Sequence, residues 1–288
     1  MKASIISDEV SQDLDVAVEA AARHGFDGLE IRSVDGCPPH LLDDAAVTRI
    51  RRRLDDAGLA VSAFCPPALK SAIPAHPSGR AAAAAVVTQA ARHAALLGTG
   101  AVRMFSFYRD GPVPEPERAA EAARLALSGV DLPDGVRLVL ETGTRTNTPT
   151  LALAARFLDV LDDERVGILW DPGNSVFSGL ARYPFPDFAE TVHRIEHVHV
   201  KDPQGTARYV ALGEGDLPWP DIIRSLHQGG YQGWLTLETH WRVDRELSGP
   251  ERDEPWGQGI SAGGLAASDI CMRTMAGWLA SSRAGDFA

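Results

Sequence analysis

Two histidines one residue apart, His197 and His199, open the run HVHVKD, which continues to Lys201 and Asp202. Val198 and Val200 alternate with them. On a strand the valines share one face, and His197, His199 and Lys201 share the other. Imidazole and ammonium groups behind an apolar face suit a cavity that handles charge. Three more apolar runs end on acidic groups. VRLVLE closes on Glu141 and VGILWD on Asp171, while WLTLETH carries Glu238 and His240 in phase with Thr236.

Brought to one rim, Glu141, Asp171, His199 and Glu238 place three carboxylates in one pocket, and like charges at close range oppose joint ionisation. A bound divalent cation resolves that conflict. Three oxygens and one nitrogen without a thiolate favour Mn²⁺, Mg²⁺ or Co²⁺, with Zn²⁺ also accommodated. The second ring nitrogen of His199 needs an acceptor, and His197, one layer deeper, reads as support or as core. Lys201 is a compact cation suited to a substrate oxyanion or phosphate, or to a salt bridge with Asp202 or another carboxylate.

The elements that must position these groups alternate along the chain. Strand patterns fall at 2–7, 28–32, 59–65, 101–107, 136–141, 166–171, 195–202 and 234–240, with amphipathic segments such as 13–25, 45–58 and 150–163 between them. Gly25, Gly58, Gly98 and Gly229 close helices just before strands. Eight β/α units predict an α/β protein, a (β/α)8 TIM barrel whose chemistry sits at the C-terminal mouth of the strands. A doubly wound sheet is disfavoured, because SDEVSQ after the first strand lacks the glycines of a dinucleotide turn. The reading is one domain over 1–288, with 241–259 a long charged loop before a C-terminal helix. That loop is a lid or a subunit contact in a homo-oligomer.

A net charge of −11 over 288 residues argues against a nucleic-acid surface. The one basic cluster, RIRRRLDDAG at 49–58, reads as a solvated helix face. Cys37, Cys65 and Cys271 form neither a disulfide framework nor a thiolate metal site, and Cys65 reads as a buried thiol. With no secretory leader pattern and no long apolar run, the expectation is a cytoplasmic protein with no membrane partner.

The ordered motifs SDEVSQDLDVAVEAAARHGFDGLEIRSV (7–34), LVLET (138–142), LWDPGN (169–174), HVHVKD (197–202), LGEGDLPWPDII (212–223) and GYQGWLTLETH (230–240) resemble the xylose isomerase-like TIM barrels, the sugar phosphate isomerase/epimerase superfamily. The resemblance implies a metal held by Glu141, Asp171, His199 and Glu238, and a sugar, sugar phosphate or cyclitol substrate. It also implies that Glu141 and Glu238 act as acid and base in an isomerase or epimerase working through an enediolate. The ketose epimerases carry a histidine where this chain has Asn174, and an arginine where it has Gly205. Asn174, Arg208, Lys201 and His240 are therefore the candidate substrate contacts. The same scaffold supports a lyase or dehydratase acting on keto-cyclitols, dehydro-acids or oxo-glycosides, and a non-catalytic carbohydrate binder is a third reading. The superfamily's DNA-repair branch uses a multi-zinc cluster with additional histidines; those outside the last two strands here, such as His24 and His93, suggest no second metal site, so nuclease activity is not expected. Glu30 and Arg32 point inward on the second strand, to pair with each other or to contact substrate hydroxyls, and Tyr108 is a candidate wall residue.

Overall fold

Alternation decides the two sides of the wall. Leu138 and Leu140, Ile168 and Trp170, Val198 and Val200, and Leu235 and Leu237 are in-phase pairs on their strands, and all are buried in one continuous hydrophobic cluster. In the computed structural model, which describes residues 1–253 and 255–284, eight parallel strands close a barrel. They are β1 (Lys2–Ile6), β2 (Gly28–Ile31), β3 (Ala60–Ala68), β4 (Ala101–Met104), β5 (Arg137–Glu141), β6 (Val166–Trp170), β7 (Ile195–Val200) and β10 (Trp234–Leu237). Each strand pairs with its sequence neighbour around the wall, and β1 closes on β10 with Ser4 opposite Thr236. Between β7 and β10 the chain adds a hairpin, β8 (Asp202–Gln204) and β9 (Arg208–Val210), that the strand patterns did not announce.

Helices cover the outer face. Leu14–Arg23 is capped by Asp13, Asp44–Asp56 by Asp43 and Leu151–Leu161 by Thr150, each accepting a backbone N–H of the first turn. Ile50 and Leu54 of the basic helix are buried, while Arg51 and Arg53 pair outward with Asp55 and Asp15. Trp170 turns to the helix side, where the rings of Phe185 and Phe188 lie 5.3 and 5.2 Å from its own.

Inside the barrel the β10–β1–β2 side is polar, in keeping with the inward phase of His197, His199, Thr236 and Glu30. Ser4 Oγ meets Thr236 Oγ1 at 2.6 Å, Thr236 Oγ1 meets His197 Nε2 at 2.7 Å, and Glu30 and His199 complete the layer. Each member has a partner, which makes a polar interior affordable. Cys65 lies at its edge and donates Sγ–H to Glu30 Oε1 at 2.9 Å. One difference from the sequence pattern concerns β3, which runs on through Pro66 and Pro67 to Ala68 with a shift of register against β4 between Phe64 and Ala68. Proline lacks the ladder donor, so the sequence pattern ends at Cys65.

The 241–259 segment contains the short helix Gly249–Asp253 and ends inside a second, Gln258–Ser261, before the helix Gly264–Ala284. It is tied down by Arg242, whose guanidinium is buried and donates to Glu9 Oε2 and to the carbonyl of Ile260. Among the described residues no helix is long and apolar enough to cross a membrane.

Candidate metal centre and active site

The four strand-end residues come together. Glu141 is the last residue of β5, and Asp171 follows β6. Its Oδ1 accepts the N–H of Asn174 at 2.8 Å and so caps the helix Pro172–Phe177. His199 lies in β7, and Glu238 follows β10, its N–H continuing the ladder to Val200 O at 2.9 Å. One ligand atom from each of Glu141, Asp171, His199 and Glu238 lies within 4.8 Å of the others, and all four residues are buried.

Three of those atoms, Glu141 Oε2, Asp171 Oδ2 and His199 Nδ1, have no directed hydrogen bond. Buried acceptors are normally satisfied; Arg103 and Lys201 approach the two carboxylate oxygens without a directed bond, and the three atoms together fit a divalent cation between them. His199 Nδ1 stands 3.7 Å from Asp171 Oδ2 and 3.5 Å from Glu238 Oε2, while its Nε2 is held by Glu30 Oε1 at 2.9 Å. A ring nitrogen fixed by a carboxylate behind it is the usual support of a ligating histidine. Two other acidic–imidazole groups lie nearby, Glu30–His197–His199 and Glu9–Glu238–His240. Within them His197 Nε2 is 2.8 Å from Glu30 Oε2, and His240 Nδ1 is 2.7 Å from Glu9 Oε1. These are hydrogen-bond distances, so both groups read as proton-linked supports.

Lys201 supplies positive charge at the centre. Its Nζ lies 2.8 Å from Asp171 Oδ2 and 2.5 Å from Glu238 Oε2, over the ring of Tyr209 at 5.3 Å. The approach to Asp171 is electrostatic, since that oxygen receives no well-directed bond. Gly173 leaves room for it, because a Cβ there would fall 2.6 Å from Lys201 Cγ. Asp202 is no partner for Lys201. Its carboxylate accepts the N–H groups of Gly213, Gly215 and Leu217 and holds the loop after β9.

Charges in this sealed space set one another's proton affinity. Burial alone would raise Glu238, but Lys201, His240 and His199 hold it well below the usual carboxylate range. Burial opposes the charged form of His199 too, yet Glu30, Asp171 and Glu238 hold its pKa well above that of a free imidazole. Glu30 is likewise kept low, against burial, by His199 and His197.

A six-residue network backs Glu238. Arg32 donates Nη1 to Glu238 Oε1 at 2.7 Å, Nε to Asp8 Oδ1 at 2.8 Å and Nη2 to Glu9 Oε1 at 2.9 Å. Glu9 also accepts from Arg242 and from the backbone N–H of His240. His240 holds a left-handed backbone, φ +43°, which a non-glycine residue adopts at a cost and which a tightly determined surrounding can maintain.

Asn174, Lys201, His240 and Tyr108 line one cavity with Glu141 and Glu238. Asn174 donates Nδ2–H to Glu141 Oε1 at 3.0 Å and accepts from Thr144 and Tyr209. Three expectations need correction. Glu30 does not reach the cavity, because its carboxylate is enclosed by His197, His199 and Cys65. Arg32, fully buried among Asp8, Glu9 and Glu238, pairs with those acids and contacts neither Glu30 nor a ligand space. Arg208 is exposed on β9, bonded to Gln204 and facing Glu246, and it opens on a neighbouring hollow.

Several cavity residues escaped the sequence reading, among them Arg103, Lys70 and Arg145. Arg103, on β4, reaches Glu141 Oε2 at 3.1 Å and the carbonyl of Cys65 at 3.0 Å. A lone arginine between Val102 and Met104 was its legible signal. Lys70 lies just past β3, beyond the two prolines, where the strand pattern had already been ended.

The model of the xylose isomerase-like TIM barrel family matches residues 18–262. The chain belongs to that family. Among solved structures, the D-allulose 3-epimerase of Methylomonas sp. superposes with a TM-score of 0.73 at 17% identity, over 96% of this chain and 98% of that one. The probable 3-DHS dehydratase of Bacillus anthracis superposes with a TM-score of 0.69 at 17% identity, over 96% and 98%. Both likenesses concern the fold. In sequence, an inosose dehydratase of Clostridium botulinum is 27% identical over 122 residues, 36% of this chain and 40% of that protein. The chain spans less than half the length of the curated relatives it matches.

Proposed function

We propose that this protein is a divalent-metal-dependent enzyme that moves the proton next to the carbonyl of a keto-sugar or keto-cyclitol, as an isomerase or epimerase. The observation that carries the reading is the convergence of four buried ligand atoms, three of them without a directed hydrogen bond, at a cavity that Glu141 and Glu238 line. Glu141, Asp171, His199 and Glu238 would hold the ion, Mn²⁺ by preference. When bound, it supplies the Lewis acidity that weakens the C–H bond between a carbonyl and a hydroxyl.

The remaining chemistry belongs to side chains of this chain. Glu141 and Glu238 are the two strand-end glutamates that line the cavity, and one takes the α-proton while the other returns a proton to the enediolate. Arg103 and Asn174 aim Glu141, while Arg32 and Lys201 aim Glu238. Asn174, His240 and Tyr108 are the proposed hydroxyl contacts. The substrate partner is a small polyol handled in the cytoplasm.

A second reading, elimination of water, draws on the inosose dehydratase likeness and on the departures at Asn174 and Gly205 from the ketose epimerases. It begins with the same proton abstraction. The second glutamate then gives its proton to the departing β-hydroxyl, which leaves as water. Incubation in D₂O with ketoses and inososes, with Mn²⁺ and then with chelator, tests both readings. Metal-dependent deuterium uptake at the α-carbon is expected, and a new enone absorbance assigns the dehydratase. Absence of exchange with every substrate, metal present, overturns the proposal.

A further inference from the structure

The segment that crosses the mouth makes two contacts with cations of the cavity wall. Lys70 Nζ donates to the backbone carbonyl of Asp253, and Arg145 Nη1 lies 2.7 Å from the Asp253 carboxylate. Lys70 also sits over two rings, 5.1 Å from the centroid of Phe105 and 5.5 Å from that of Trp256. Arg103 lies over the same Phe105 ring at 4.9 Å, and Arg145 over Tyr108 at 5.4 Å. Arg103 is engaged with Glu141. Lys70 has no carboxylate partner among the described residues.

We propose that Lys70 and Arg145 form a seat for an anionic substituent of the substrate, which Asp253 fills here. The proposal rests on the proton-transfer reading above and narrows its substrate class to keto-polyols bearing a carboxylate or a phosphate. Space supports it. With Asp253 and Pro255 across the mouth the cavity measures about 60 Å³, below the few hundred Å³ usual for a small-molecule site. A six-carbon substrate exceeds that volume, so its substituent competes with Asp253 for Lys70 and Arg145. Where Asp253 yields, both cations lose those acceptors. A neutral sugar returns only hydroxyl contacts, whereas an acid returns charge-assisted bonds and, on Arg145, a two-pronged one. Phe105 and Trp256 give Lys70 apolar backing that limits its hydration, while Arg145 stands exposed beside Tyr108.

Calorimetry on the full-length, Mn²⁺-loaded protein tests this with three ligands: D-fructose, its terminal phosphate ester, and the keto-acid of the same carbon skeleton. At least one acid is expected to bind tenfold or more tightly than fructose, and the tighter acid identifies the substituent. Lys70→Met should remove most of that preference, and Lys70→Arg should retain it, with thermal melts showing both variants folded. Equal affinity for fructose and both acids, or a preference that survives Lys70→Met, overturns the seat. Because D₂O exchange on neutral keto-sugars is read separately, failure here leaves the proton-transfer reading standing. Loss of exchange there leaves the binding result interpretable.

Discussion

Glu141 and Glu238 occupy matching positions, each at the tip of its strand, yet the two sides of the barrel anchor them differently. Behind Glu238 stands a buried lattice in which Arg32 joins three acids and Glu9 joins Arg32, His240 and Arg242. Behind Glu141 stand one guanidinium and one amide, Arg103 and Asn174. The carboxylate of Glu238 is engaged at both oxygens, while Oε2 of Glu141 lacks a directed bond. A carboxylate bonded at both oxygens is held more firmly than one bonded at a single oxygen, so the β10–β1–β2 side fixes its glutamate through more bonds than the β4–β5 side does.

Removing charge at the tied end should do the most. Glu238→Gln is expected to lower turnover by about 10³-fold, within the range for a lost acid–base group. If Glu141→Gln costs as much with the fold intact, the asymmetry between the two ends concerns stability alone. Arg32→Met leaves Asp8, Glu9 and Glu238 buried without their shared cation, so a loss of about 3–5 kcal/mol in urea unfolding is expected. The same change at Arg103 should cost less, since it uncovers one acid. A loss at Arg103 matching that at Arg32 breaks the comparison.

Glu30→Gln sharpens it from beneath. The amide no longer accepts from both His197 and His199 as an anion, so equilibrium dialysis should show metal affinity about 10–100-fold weaker. The anion seat has its own pH signature. Burial and the nearby Arg103 lower the Lys70 amine to about 8. An anionic ligand favours the ammonium, so acid affinity should be full below that pH and fall as pH rises through about 8. Fructose affinity should stay flat over the same interval. The smallest effect belongs to Arg208→Ala, an exposed side chain on β9. Its kcat/KM should stay within about twofold of the parent, as for surface changes generally.

Strand phase made Glu141, Asp171, His199 and Glu238 legible, because alternation tells which side of a wall a residue faces. Phase gives neither depth nor partner. Glu30 was read as inward and is inward, but it lies beneath His199 with no access to a ligand. Arg32 was offered to Glu30 or to a substrate and instead binds acids from the first turn after β1. Lys70 was lost for a different reason. Two prolines read as the end of a strand, whereas the barrel absorbs them with a register shift.

The sequence by itself determined the repeated strand and helix patterns, the polar tips of the strands and the acidic residues able to share a cation, since each follows from local alternation and side-chain chemistry. Tertiary structure alone decided which charges meet. Arg32 and Glu238 are 206 residues apart, and His199 and Glu30 are 169 apart. They touch only because β1 closes against β10, and no local pattern encodes the distance between strands that pair across that closure.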